Sequence, residues 1–140
     1  DYSDKEKELL KSIKDYSIFP KYIIPYIKKA SSTFVEKFET ENTIKGITVT
    51  SSGFYGPQGR ALRLSTNTSG LHKKLERIKY HGQRFVNFEM ESSALFALGT
   101  ALGHSCATIC LGIANRPAKQ FSSDYSSHMK ELIQHVLERL

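Results

Sequence analysis

The run Asn87-Phe88-Glu89-Met90-Glu91-Ser92-Ser93-Ala94-Leu95 changes its hydrophobic period in the middle. Val86 and Phe88 alternate as at the end of a strand. From Met90 onward the apolar positions Ala94, Leu95, Ala97, Leu98, Ala101 and Leu102 recur at helical spacing. Gly103 then supplies a helix stop. Glu89 and Glu91 therefore stand where a strand turns into a helix. That junction constrains the fold: a strand feeding directly into a helix belongs to an α/β arrangement, whose ligands bind in the crevice beyond the carboxyl ends of the strands. A Glu in a first helical turn also complements the helix dipole, worth about 0.3–1 kcal/mol, so position alone leaves two readings of Glu91. The chemical one is that a carboxylate only accepts hydrogen bonds, which suits it to neighbouring sugar hydroxyls. Met90 between the two carboxylates offers an adaptable apolar surface.

The rest of the chain reads as strands alternating with helices. Ser3 and Glu6 have the spacing of a capping box, and Leu9, Leu10 and Ile13 form a short apolar stripe behind it. Residues 22–27 are apolar but contain Pro25 and are expected to form a short distorted helix. Phe34, Val35 and Phe38 mark a further helical turn. Residues 43–51 are β-branched and read as a strand. A loop dense in Gly and Pro follows over residues 52–60. Residues 69–80 read as a helix carrying Leu71, Leu75 and Ile78, and residues 84–88 as a short strand. Residues 105–113 read as a buried strand and residues 115–120 as a loop. Asp124 is placed to cap a last helix bearing Met129, Leu132, Ile133, Val136, Leu137 and Leu140.

A length of 140 residues corresponds to one ordinary domain. No apolar run approaches the length of a bilayer span, and nothing in the opening residues reads as a secretory leader. The excess of 20 basic over 14 acidic side chains gives a net charge of +6. Its lysines are dispersed among acids, without the basic run that marks nucleic-acid binding, and an anionic small substrate or an acidic partner half explains the charge as well. Cys106 and Cys110 lie too far apart along one strand for a disulfide, and with His104, the one histidine nearby, two Cys and one His in a strand make poor zinc geometry. Both are expected to be small buried hydrophobes of a protein from a reducing compartment.

In the loop of residues 52–60, Gln58 presents a donor and an acceptor together. Arg60 adds a rigid fork of donors suited to flat, oxygen-bearing partners. Phe54 and Tyr55 offer rings on which a heterocycle can stack. Taken alone, the same residues also fit an ordinary surface loop.

The stretch Thr50-Ser51-Ser52-Gly53-Phe54-Tyr55-Gly56-Pro57-Gln58-Gly59-Arg60 resembles the base-binding loop of uridine phosphorylases. Asn87-Phe88-Glu89-Met90-Glu91-Ser92-Ser93-Ala94 resembles the ribose-binding signature of the wider nucleoside phosphorylase superfamily. Ile113-Ala114-Asn115-Arg116, after an apolar run, is a third match in the same order. The resemblance extends over residues 43–120. It implies an α/β fold of nucleoside phosphorylase type, a three-layer mixed sheet flanked by helices. Residues 1–140 would be the C-terminal part of a single such domain, the half with the phosphate site being absent.

It further implies phosphorolysis of uridine to uracil and ribose 1-phosphate in pyrimidine salvage. Arg60 and Glu91 would be the catalytic residues. Phe54 would stack near base and sugar, Gln58 would pair with the uracil N3–H and O2 edge, and Arg60 would donate to a carbonyl oxygen of the base. Glu89 and Met90 would line the ribose pocket, with Glu91 on the ribose hydroxyls. Ile113 and Ala114 would wall the base, and Arg116 would support the loop carrying Arg60. No metal and no cofactor beyond inorganic phosphate as co-substrate is implied. The expected partners are nucleoside and phosphate, with neither nucleic acid nor membrane. The expected assembly is a dimer-based homo-oligomer, up to a hexamer, in the cytoplasm. Purine-cleaving members would place an acid near Asn115 to handle the purine N7, so Asn115 favours a pyrimidine. A purine phosphorylase or nucleosidase, and an inactive binding or oligomerisation module, remain the competing expectations.

Overall fold

The computed structural model describes residues 2–140. Its class is mixed α/β, with five α-helices and four short strands. In chain order these are α1 (Asp4–Asp15), α2 (Ser32–Phe38), β1 (Ile47–Thr50), α3 (Leu71–Arg77), β2 (Phe85–Glu89), α4 (Ser92–Ala101), β3 (Ala114–Asn115), β4 (Gln120–Phe121) and α5 (Tyr125–Leu137). The contacts divide the chain into two compact units. One holds residues up to Lys29 together with Ile44–Leu95, the other Ala30–Thr43 and Phe96–Leu140.

The first unit is built on the parallel pair β1–β2. The strands meet through Thr48↔Asn87, Val49↔Phe88 and Thr50↔Glu89, with a register shift between Ile47 and Thr48. Since Ile47 faces Phe85, Val86 is the extra residue of a bulge. The consequence is visible in the burial. Strict alternation would turn Val86 to the same side as Phe88, whereas here Phe85 and Phe88 both pack on the core and Val86 is exposed. A Cβ on Gly46 would collide with the Val86 side chain and stand 2.9 Å from the Arg84 carbonyl oxygen. Glycine is required there because nothing larger fits beneath the bulge.

The apolar face of β1–β2 is covered by α1 and α3. Leu9 and Ile13 from α1, Ile18, Val49, Leu71 and Leu75 from α3, and Ile78 just after it form one buried cluster. The spacing of four between Leu9 and Ile13, and between Leu71 and Leu75, sets each pair on one side of its helix. Helix α1 opens with the capping box foreseen from the sequence: the Ser3 backbone N–H donates to Glu6 at 2.7 Å and the Glu6 N–H donates to Ser3 Oγ at 3.3 Å. Residues 22–27 form no helix, contrary to the sequence expectation. Pro25 removes a backbone donor from the segment, Ile24 is 88% exposed, and Ile27 alone of its aliphatic residues packs on the core.

In the second unit, α2 and α5 are tied by backbone-directed bonds. His135 Nε2 lies 3.1 Å from the Phe38 carbonyl oxygen, and Lys37 Nζ donates to the Leu140 oxygen at 2.9 Å. Helix α5 is capped by Asp124, which accepts from the Ser127 N–H at 3.2 Å. Residues 105–113, expected as a buried strand, are not a strand, and Cys110 is exposed while Cys106 is half-buried. An apolar run becomes a strand only where a neighbour completes its hydrogen-bond ladder. Among the described residues of this unit the pairing is instead the antiparallel β3–β4, Ala114↔Phe121 and Asn115↔Gln120. The segment expected as a loop over 115–120 is thus a small hairpin closed by the Lys119 N–H to Arg116 carbonyl bond of 3.0 Å.

Candidate functional site: a base loop and an acidic turn at the ends of two strands

β1 and β2 are parallel, so their carboxyl ends, Thr50 and Glu89, open on the same edge. Two structures leave from that edge, and both belong to the first unit. The first is the loop of residues 51–60. Its one regular turn is a 3₁₀ turn over Gly56–Gln58, with Pro57 supplying the fixed φ. Gly59 ends it at φ +75°, a left-handed conformation that side chains disfavour, and a Cβ there would press on the Leu71 Cβ at 3.2 Å. The buried Thr68 hydroxyl donates to the Gly56 carbonyl and closes the loop from below.

These constraints bring Phe54, Gln58 and Arg60 together. Gln58 is 4% exposed. Arg60 Nη2 donates to Gln58 Oε1 at 2.6 Å, and the guanidinium carbon lies 3.6 Å from the centroid of the Phe54 ring. Arg60 Nε and Nη1 are shut off from solvent. Phe54 meets Tyr55 edge to face at 5.2 Å. Stacking and burial hold the guanidinium plane, and the bond from Arg60 fixes which way the Gln58 amide points. The loop therefore holds the Gln58 amide and the Arg60 guanidinium in one fixed arrangement, with the amide oxygen engaged by Arg60.

The second structure is the acidic turn between β2 and α4. Glu89 uses both carboxylate oxygens within the chain. Oε1 accepts from the Thr50 hydroxyl, and Oε2 accepts from the Glu91 N–H at 2.8 Å and from the Ser92 N–H. Burial pushes its carboxyl pKa up, but the bonds from Thr50, Ser92 and Glu91 outweigh burial and hold it below the ordinary value. Glu91 is exposed, with one oxygen 3.0 Å from the Met90 N–H that donates to it. Met90 is partly open to solvent beside it. The two carboxylates thus differ in kind: Glu89 organises the start of α4, and Glu91 stands outward with acceptor capacity to spare.

Strand alternation explains how the acidic turn is tied to β1. Thr48 and Thr50 share one face of β1, opposite Asn87 and Glu89 on β2. Thr48 Oγ1 donates to Asn87 Oδ1 at 2.7 Å, and the Thr50 hydroxyl bonds Glu89 in the next rung. Thr50 Oγ1 also accepts from the Ser93 N–H at 3.1 Å. Ser93 Oγ lies 2.9 Å from the Tyr26 hydroxyl. The Ser51 N–H donates to the Glu89 carbonyl at 2.9 Å, joining the first residue of the base loop to the acidic turn.

Ile113, Ala114 and Arg116 lie in the second unit, at the β3–β4 hairpin. Ile113 is half exposed, and its carbonyl accepts from the Ser122 N–H at 3.0 Å. Ala114 opens β3. The Arg116 guanidinium stands 5.7 Å over the Phe121 ring. Asn115 Oδ1 accepts from the Ala118 N–H at 3.4 Å within the hairpin. Thr50 and Thr68 are missing from the residues singled out in the sequence. The β-branched strand was legible, but which β2 residue faces Thr50 depends on the bulge at Val86.

Among the described residues, no group of three or more His, Cys, Asp or Glu is placed to hold a metal ion, and no helix is long and apolar enough to cross a membrane. The sequence model of the phosphorylase superfamily matches residues 6–140, and the chain belongs to that superfamily. No curated protein and no solved structure matches it.

Proposed function

We propose that this phosphorylase-superfamily chain serves the phosphorolysis of a pyrimidine nucleoside, uridine, to uracil and ribose 1-phosphate, in nucleoside salvage. The observation that carries this reading is the Arg60–Gln58 pair, joined at 2.6 Å and stacked on Phe54. Uracil presents an O–N(H)–O edge. An amide with one acceptor and one donor, flanked by a guanidinium, is the complementary set. In the reaction an oxygen of inorganic phosphate attacks the ribose C1′. The bond from C1′ to the base nitrogen breaks, and its electron pair leaves with uracil. Negative charge grows on the departing base, where Arg60 and Gln58 are aimed in advance. Glu91 holds the ribose hydroxyls and keeps the sugar in line with the nucleophile, with Met90 against the sugar face. Asn115, engaged in its hairpin and carrying no acid, supports a pyrimidine over a purine.

In this reading the chain is the base- and ribose-recognising part of one phosphorylase domain. Phosphate is co-substrate, no metal takes part, and the working form is a homo-oligomer in the cytoplasm. The test is phosphate-dependent release of uracil from uridine by the purified protein, set against release of hypoxanthine from inosine. Uridine cleavage supports the proposal; preferential cleavage of inosine overturns it.

A further inference from the structure

The Thr50 hydroxyl has one proton to give and lone pairs to accept with. It donates to Glu89 Oε1 and accepts from the Ser93 N–H at 3.1 Å. Ser93 lies in the first turn of α4 and Glu89 is the last residue of β2, so a single side chain on β1 fastens both ends of the turn Met90–Glu91. The carboxylate it orients in turn accepts the Glu91 and Ser92 N–H groups through its other oxygen. Those N–H groups are among the unpaired donors of a helix start. The Glu91 side chain itself touches this network only through the Met90 N–H at 3.0 Å. Where the outward-standing Glu91 points is thus set by backbone held through Glu89, and Glu89 is held by Thr50.

We propose that Thr50 is a positioning residue for ribose recognition: its hydroxyl fixes the turn that aims Glu91, and Glu89 acts through that turn. The proposal rests on the reading of Glu91 as the ribose-hydroxyl acceptor. It assigns Thr50 no contact with the nucleoside. Two bonds that close the base loop do not use the Thr50 side chain: Thr68 donates to Gly56 and Arg60 to Gln58. Losing the Thr50 hydroxyl therefore weakens recognition of the sugar and leaves recognition of the base.

Calorimetric binding of uridine and of free uracil to the wild-type protein, Thr50→Val and Thr50→Ser tests this. Valine keeps the shape and removes the hydroxyl; serine keeps the hydroxyl. Thr50→Val is expected to weaken uridine about ten- to hundredfold, the scale of a lost hydrogen bond to a charged group, with uracil affinity within twofold of wild type. Thr50→Ser is expected to bind both as wild type does. Equal weakening of uridine and uracil in Thr50→Val, or no weakening of either, overturns the proposal. So does a Thr50→Ser protein that loses uridine selectively, since the methyl and not the hydroxyl would then matter; that arm stands even where Thr50→Val fails to fold. A wild-type protein that binds neither ligand instead overturns the uridine reading itself, and the Thr50 role with it.

Discussion

Glu89 and Glu91 are two residues apart and chemically identical, yet the chain assigns them different work. Glu89 takes hydrogen bonds from Thr50, Glu91 and Ser92 on its two oxygens, whereas Glu91 is exposed, with the Met90 N–H donating to it. Replacement of Glu91 by Gln keeps the size and removes the charge. It is expected to lower kcat/KM for uridine about ten- to hundredfold, while the urea midpoint moves by no more than about 0.5 kcal/mol in stability. Steady-state kinetics beside a denaturation curve separates the two. Arg60 acts as a plane as well as a charge, stacked 3.6 Å from Phe54. Arg60→Ala is expected to reduce uridine cleavage roughly 10²–10³-fold. Arg60→Lys should recover little of it, because an ammonium lacks both the fork and the flat face. Full activity in the lysine variant would show that charge alone suffices.

At the scale of elements, the bulge at Val86 decides which side chains of β2 reach the core. It brings Phe85 beside Phe88 onto the buried face and turns Val86 out over Gly46. Gly46→Ala forces a methyl against Val86 and the Arg84 carbonyl. A loss of about 1–3 kcal/mol is expected, the range for overpacking, read as a lower urea midpoint at constant slope. Helix α1 supplies Leu9 and Ile13 to the same core from behind a capping box. Ser3→Ala is expected to cost about 1 kcal/mol, and a neutral result would mean that packing alone holds the helix. Both reciprocal bonds of that box were legible, because Ser3 and Glu6 are three apart within one turn. The bulge was not, because it belongs to the pairing of two segments 39 residues apart, as in Thr50 and Glu89.

Across the whole molecule, Glu6, Glu89 and Asp124 share a feature: each accepts backbone N–H at or near a helix start and is held below its ordinary pKa. Glu6 is held below its ordinary pKa by Ser3, first through the hydroxyl and then the backbone N–H. Asp124 is held down by the Ser127 N–H, and Glu89 by Thr50, Ser92 and Glu91 against the opposing effect of burial. A carboxyl whose pKa is lower folded than unfolded stabilises the fold above its unfolded pKa, and that stabilisation is lost as pH falls through the folded value. Stability is therefore expected to be level from neutral pH down to about 4.5, the ordinary Glu value, and to fall below it. Urea denaturation at a series of pH values between 7 and 2.5 reads this directly. In Glu89→Gln the acid limb should be shallower, since one titrating site is gone; an unchanged limb would mean that Glu89 titrates alike in both states.

Local chemistry determined what short-range rules govern. The cap at Ser3, the cap at Asp124, helices α3 and α5, and the junction at Glu89–Glu91 follow from residues within a turn or two of each other, where spacing is enough. The motif residues Phe54, Gln58 and Arg60 were also visible, because a tight glycine-bounded loop keeps them close in space. Tertiary structure decided whatever depends on a partner from elsewhere in the chain. Residues 105–113 are apolar enough for a strand but form none, since strand formation rests on a neighbour's ladder. Residues 22–27 form no helix, and Pro25 within them removes a donor that a helix needs. The division of labour between Glu89 and Glu91 required the register of β1 on β2, for only that register sets the Thr50 hydroxyl against one carboxylate and leaves the other facing solvent.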